Sequence, residues 1–131
     1  MSITAGFLVF LTLTVLLLVA VILTGFKAKR KVHLRLVAIT IVSLATAIYY
    51  AEQLGTLYDL EASGRIYPIH LWIAKAATVS YVLPLVTGFL TLKNPAMRRR
   101  HRWCAFLVVT LTLAAAVTGA AMVWMSDPLP I

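Results

Sequence analysis

Four long apolar stretches alternate with short polar segments along the chain. About 20 consecutive apolar residues are enough to cross the ~30 Å hydrocarbon core of a membrane as a helix. Charged side chains are nearly absent from the stretches and gather between them. The pattern therefore predicts four transmembrane helices, over residues 3–26, 34–51, 69–92 and 103–125.

Composition excludes the other broad classes of protein. The chain has 131 residues, of which 62% are hydrophobic and 12% charged, whereas about 25% of a soluble domain is charged. The same numbers exclude a disordered chain. The single cysteine, Cys104, excludes a disulfide framework. We therefore predict an all-α polytopic membrane protein, a four-transmembrane-helix bundle that forms one transmembrane domain over residues 1–131.

Charge asymmetry predicts the orientation of these spans. Of the 12 Lys and Arg residues, five lie in the loop 27–33 or just after it, at Arg35, and five lie in the loop 93–102. The acids lie at the other ends of the spans, at Glu52, Asp59, Glu61 and Asp127. Cytoplasmic loops carry an excess of Lys and Arg. We therefore expect both basic loops to lie inside, and the loop 52–67 and both termini to lie outside.

The net charge of +8 also bears on partners. Basic loops at a membrane surface attract anionic lipid headgroups by about 1 kcal/mol per well-placed charge. Nucleic acid is not an expected partner, because the chain offers no stacking platform or soluble binding module. Lipids, anionic headgroups at the cytoplasmic face and a larger membrane complex are the expected partners.

A short internal repeat suggests duplicated helical hairpins. The first and third spans contain Thr24-Gly25 and Thr87-Gly88, and each pair is followed by a basic loop and then a histidine, His33 or His101. Two copies of a helical hairpin, related by an axis along the membrane normal, would give this order. Between the two pairs, Pro84 removes a backbone donor inside the third span and is expected to kink it.

Small residues predict where helices approach closely. Small side chains four residues apart let two helix backbones come together in lipid. The second and fourth spans carry such pairs, at Ser43 with Ala47, Ala115 with Gly119, and Ala116 with Ala120. We therefore expect a tight contact between the second and fourth spans.

The ionisable residues that could carry chemistry are few. His33 and His101 start two spans on the inner side, and His70 lies at the outer end of the third span. The first two could bind a haem or a metal, because imidazole is a common axial ligand, or they could simply belong to the basic rim. His70 is a separate candidate for cofactor binding at its own end of the bundle, or else a structural residue. Lys75 lies inside an apolar span and could pair with Glu52. Cofactor binding stays open: haem b is one interpretation, and no cofactor at all is the simpler one for a single chain.

Several short motifs resemble a known family. They are His33-x-Arg35 at the start of a helix, Leu-Pro-Leu-Val-Thr-Gly at 83–88, His101-Arg102, and Val-Thr-Gly at 117–119. Over residues 30–125 the chain resembles small four-helix bacterial membrane proteins linked to haem–copper oxidase assembly, and is loosely similar to four-helix b-type cytochromes. Where that family commonly has a further histidine, this chain has Trp-Ile-Ala-Lys at 72–75. The resemblance implies helix-entry roles for His33 and His101, and a bacterial inner membrane as the location.

Two classes of function follow from these patterns. No nucleophile elbow, Gly-rich phosphate loop or zinc signature occurs, so we expect a protein without catalysis of its own. The first class is an accessory subunit or assembly factor of a respiratory or photosynthetic electron-transfer complex. The alternative is a haem- or metal-binding electron carrier with His33 and His101 as ligands.

Overall fold

The computed structural model describes residues 1–130, which form five α-helices and one pair of two-residue strands. The helices are α1 (Ile3–Phe26), α2 (Arg30–Leu54), α3 (Ile66–Ser80), α4 (Val82–Lys93) and α5 (Arg98–Trp124). The strands are β1 (Tyr58–Asp59) and β2 (Asp127–Pro128), and short 3₁₀ helices cover Leu60–Ser63 and Pro95–Met97.

Four helical segments are long and apolar enough to cross a membrane, by length and composition: Ile3–Phe26, Arg30–Leu54, Ile66–Lys93 and Pro95–Trp124. A helix suits lipid because all its backbone hydrogen bonds are made within the segment. The prediction of an all-helical chain with four candidate spans is therefore confirmed.

The chain divides into two compact units, each built around a pair of antiparallel spans. The first hairpin comprises residues 1–59, with α1 and α2, together with the chain from Asp127 onward. The second hairpin is Leu60–Ser126, in which α5 packs against α3 and α4. Each hairpin has its own interface and is described by itself below.

The turn between α1 and α2 ends the first helix with a full set of hydrogen bonds. The Ala28 N–H donates to the carbonyl of Gly25 (3.2 Å), and the Lys29 N–H donates to that of Thr24 (3.1 Å). These two bonds define a Schellman motif, in which the residue just after the C-cap adopts the left-handed conformation. Ala28 occupies that position with φ of 54°, although glycine is the usual choice.

Proline explains the division of the third span into α3 and α4. Pro84 has no N–H to offer the carbonyl of Ser80, four residues earlier, and its ring crowds that carbonyl. The helix breaks at Tyr81, between Ser80 and Val82, where the Tyr81 N–H reaches back to Thr78 at 3.4 Å. The kink predicted at Pro84 is thus present as a one-residue break three residues upstream.

Polar side chains tie each hairpin together at mid-span. In the first hairpin, the hydroxyls of Thr14 and Ser43 are 2.8 Å apart, and Thr14 is fully buried. In the second, the Tyr81 and Thr112 hydroxyls are 2.9 Å apart. Among the residues described, no buried side-chain nitrogen or oxygen lacks a hydrogen-bond partner. One buried or half-buried pair of hydroxyls at mid-span therefore joins the helices of each hairpin.

The short strands belong to the first hairpin. β1 and β2 pair antiparallel, with Tyr58 opposite Pro128 and Asp59 opposite Asp127. The Leu129 N–H extends the pairing by donating to the carbonyl of Leu57 at 2.8 Å. The chain after the fourth span is therefore held against the polar segment that follows α2.

Candidate functional site

All three histidines take part in the same kind of contact, in which a histidine of one helix lies against a Thr-Gly pair of its neighbour. The threonine hydroxyl donates its proton to a carbonyl of its own helix and accepts the Nδ1–H of the imidazole. The ring lies over the adjacent glycine, where a larger residue would place its Cβ. We call this arrangement the Thr-Gly–His contact.

In the first hairpin the contact joins Thr24 and Gly25 to His33. Nδ1 of His33 lies 2.9 Å from the carbonyl oxygen of Val21 and 3.3 Å from the Thr24 hydroxyl. A carbonyl only accepts, so Nδ1 donates in this hydrogen bond. A Cβ on Gly25 would lie 3.3 Å from Cε1 of the ring.

The second hairpin repeats the contact next to its basic turn. The Thr87 hydroxyl donates to the carbonyl of Leu83 (2.7 Å) and lies 3.2 Å from Nδ1 of His101. A Cβ on Gly88 would approach the His101 ring to 3.1 Å. The two copies of the Thr-Gly–His order found in the sequence are thus the same structural contact, made once in each hairpin.

A third contact lies at the opposite end of the second hairpin, and sequence analysis did not find it. Nδ1 of His70 lies 3.0 Å from the hydroxyl of Thr118, and the ring also hydrogen-bonds the backbone of Ala115. A Cβ on Gly119 would come within 2.8 Å of the ring, the tightest of the three. The third Thr-Gly pair was the available signal, because the predicted topology puts His70 and Gly119 at the same membrane face.

The open end of the first hairpin uses a tyrosine in place of histidine. The ring of Tyr50 covers Gly6, with Cζ 2.6 Å from where a Cβ would be, and stacks on Phe10 at 5.8 Å between ring centroids. Each hairpin therefore has a ring-on-glycine contact at both ends and a polar contact between them. This shared plan supports the interpretation of the two hairpins as a repeat.

The remaining predicted site residues lie as follows. Ser43 and Ala47 are buried in the first hairpin, where Ser43 contacts α1, and Gly119 is buried against α3 in the second. Ala115 and Ala116 are half-buried and Ala120 is exposed. The predicted contact between the second and fourth spans stays a prediction, because these observations concern each hairpin alone.

Glu52 and Lys75 are both exposed on their helices, α2 and α3. They belong to different hairpins, and their ion pair stays a prediction. Within residues 1–130, no group of three or more His, Cys, Asp or Glu side chains is placed to hold a metal ion.

Comparisons with protein-family models, curated proteins and solved structures found no match. The resemblance to the oxidase-assembly family stays a prediction on its short motifs.

Proposed function

We propose that the protein is a non-catalytic membrane subunit or assembly factor of a respiratory or photosynthetic electron-transfer complex. The proposal includes a bacterial inner membrane, cytoplasmic basic turns and external termini. The use of the polar side chains is the observation that carries it. The histidines and the mid-span hydroxyls form hydrogen bonds between the helices of each hairpin. Their role is therefore to hold the fold together, and not to act on a substrate.

The outward surface of the spans supports the same proposal. Between 11% and 22% of each candidate span is buried inside the chain. Many of the remaining side chains on these spans are large, apolar and exposed, so they are available to lipid or to helices of a larger complex, and membrane helices associate largely through such packing. The soluble segments between spans are short, which leaves little room for a water-exposed active site.

Native electrophoresis of mild-detergent membranes tests this proposal. We expect the tagged protein, expressed at its natural level, to comigrate with a redox-active complex, and a deletion strain to lose assembled complex. Migration of all the protein as a small detergent particle, with full electron-transfer activity in the deletion strain, would contradict it.

The second candidate is a haem- or metal-binding electron carrier, and the hydrogen bond that His33 donates favours it. Ligating histidines commonly donate one ring N–H to a carbonyl or carboxylate, which orients the ring. His33 makes this bond through Nδ1 to Val21, so Nε2 would be the ligating atom. In this candidate, His33 and His101 supply imidazole ligands, and a bound haem or metal supplies the redox chemistry.

A visible absorption spectrum of the purified protein separates the two candidates for haem. A Soret band that disappears in the double variant His33→Ala, His101→Ala, and persists in His70→Ala, supports the carrier. Metal analysis of the same samples covers a non-haem site. A colourless, metal-free protein that retains its place in a large complex supports the subunit.

A further inference from the structure

The turn between α4 and α5 carries a high density of positive charge and contains no acidic residue. Residues 93–102, here called the arginine turn, contain five cations and no acid: Lys93, Arg98, Arg99, Arg100 and Arg102. All five are exposed. His101, in the middle of this run, is the residue turned toward α4, where it contacts Gly88. The fold thus takes the histidine inward and leaves the arginines on the surface.

Helix stability does not explain this placement. The first turn of a helix is the positive end of its dipole, where cations are unfavourable. Arg98, Arg99 and Arg100 start α5, whose first turn has no acidic residue. The short 3₁₀ helix that leads into α5 is capped by Asn94, whose side chain accepts from the Ala96 N–H, so the positive end of this helical segment already has a cap. Lys93, by contrast, lies at the favourable C-terminal end of α4. Three adjacent cations with no acid among them repel one another near the start of this helix, and an external anion would reduce that repulsion.

The neighbouring tryptophan indicates the depth of the turn in the membrane. Trp103 is 67% exposed and follows the arginines directly. Tryptophan is enriched at the level of lipid headgroups, because its ring is apolar and its N–H polar. The phosphates of the bilayer lie at this level, within reach of long arginine side chains.

Arginine also distinguishes this turn from the other basic turn. In the segment 27–33, three of the four cations are lysines. A guanidinium presents a planar fork that binds phosphate through two parallel hydrogen bonds, whereas an ammonium acts as a point charge. Consecutive helix residues lie about 100° apart around the axis, so the three arginines face several neighbouring headgroups rather than one pocket.

We propose that the arginine turn selectively binds the phosphate groups of anionic phospholipids through Arg98, Arg99 and Arg100. The lipids form an enriched ring around the start of α5 and neutralise its charge. This inference goes beyond the proposed function, since it holds whichever complex the protein serves. It requires the basic turn to lie at a membrane surface.

Quenching of Trp103 by brominated lipids tests the inference on the full-length protein. Trp72→Phe and Trp124→Phe leave Trp103 as the only tryptophan. The protein is reconstituted in mixtures of phosphatidylglycerol and phosphatidylcholine, with one or the other lipid brominated. The ratio of the two quenching curves gives the preference for the anionic lipid around the turn.

Matched variants separate recognition from charge. We expect the triple variant Arg98→Gln, Arg99→Gln, Arg100→Gln to lose the preference by about fivefold or more, given the usual attraction per basic residue near an anionic surface. Changing the same three residues to Lys keeps the charge and should still lower the preference. The control Lys29→Gln, Arg30→Gln, Lys31→Gln removes as many charges from the other turn and should leave Trp103 quenching unchanged.

Inorganic phosphate distinguishes lipid from a soluble anion. At constant ionic strength, replacing chloride with phosphate should not reduce the lipid preference if lipid headgroups are the ligand. Competition by free phosphate would overturn the lipid assignment. Equal quenching by both lipids, an unchanged preference in the glutamine variant, or full preference in the lysine variant would overturn the selective arginine site. No quenching by either lipid would show that the turn is not at the membrane surface.

Discussion

At the residue scale, the histidines show how one side chain can join two membrane helices. A threonine alone would keep its hydroxyl bonded to its own helix, and a glycine alone would leave a gap. Together they offer an acceptor and a flat surface, which the imidazole of His33, His70 or His101 uses at once. The bond is directional and the packing is tight, so both members of each Thr-Gly pair matter.

The glycines of the three contacts should differ in their tolerance of alanine. The distances from a new Cβ to the histidine ring predict the order of destabilisation: Gly119 (2.8 Å), then Gly88 (3.1 Å), then Gly25 (3.3 Å). Overpacking costs about 1–3 kcal/mol, whereas alanine gains up to about 1 kcal/mol in helix propensity. Thermal unfolding in detergent measures the series.

We therefore expect a clear loss of stability for Gly119→Ala and a near-neutral effect for Gly25→Ala. Ala120→Ser, at the exposed neighbour of Gly119, is the control and should change little. The ring-on-glycine account is wrong if Gly119→Ala is the most stable of the three.

Ala28 should respond to substitution in the opposite direction. Its φ of 54° is left-handed, a conformation that costs an L-residue other than glycine roughly 1–2 kcal/mol. Ala28→Gly is therefore expected to raise the free energy of unfolding by about 1 kcal/mol. The same change at Ala38, exposed within α2, should lower it by a similar amount. Equal effects of the two substitutions would contradict the assigned turn.

At the element scale, the pattern of apolar residues located the spans better than it located the helix ends. The second span was predicted over residues 34–51, and α2 covers Arg30–Leu54. Hydropathy reports where lipid begins, while a helix continues as long as its backbone bonds and side chains allow. Arg30 and Lys31 are good helix formers, so α2 starts inside the basic segment.

The contacts at the open ends of the hairpins could not be predicted from the sequence. His33 lies nine residues from Thr24, so local order along a turn brings them together. His70 and Thr118 are 48 residues apart, and their contact depends on the register of two long helices. A break at Tyr81 shifts that register. The β1–β2 pair was not predicted for the same reason, because two-residue strands carry no periodic signal.

The mid-span hydroxyls of the first hairpin should show measurable coupling. Thr14 and Ser43 share a buried hydrogen bond of 2.8 Å, and such bonds in membrane proteins contribute about 0.6 kcal/mol on average, with a maximum near 1.7. A double-mutant cycle with Thr14→Val and Ser43→Ala is expected to give a coupling of about 1 kcal/mol. Denaturation in mixed micelles supplies the four free energies of unfolding.

Thr46 gives the control for that cycle. It is half-buried, and its hydroxyl bonds only to the carbonyl of Val42 within its own helix. Thr46→Val combined with Thr14→Val should therefore be additive. Additivity of the Thr14 and Ser43 substitutions would mean that their hydrogen bond does not hold α1 to α2.

At the scale of the whole molecule, the chain is two hairpins built to one plan. Each hairpin has a basic turn at its closed end, a Thr-Gly–His contact beside that turn, and a polar contact at mid-span. All four acids lie in or beyond the segments at the open ends. Both closed ends are therefore basic and free of acidic residues, and both open ends carry the acidic ones.

The proposed topology requires the two basic turns to lie on one face of one membrane, and the lipid site requires the arginine turn to lie at its surface. Cysteine labelling in intact cells tests this most directly, because replacing Cys104 with Ser removes the only thiol. Single cysteines are then placed at Ala28 and Ala96, in the two turns, and at Ser2 and Thr56, near the open ends. We predict that a membrane-impermeant thiol reagent labels the last two from outside, and the first two only after permeabilisation. Labelling of positions 96 and 56 from the same side would contradict the account.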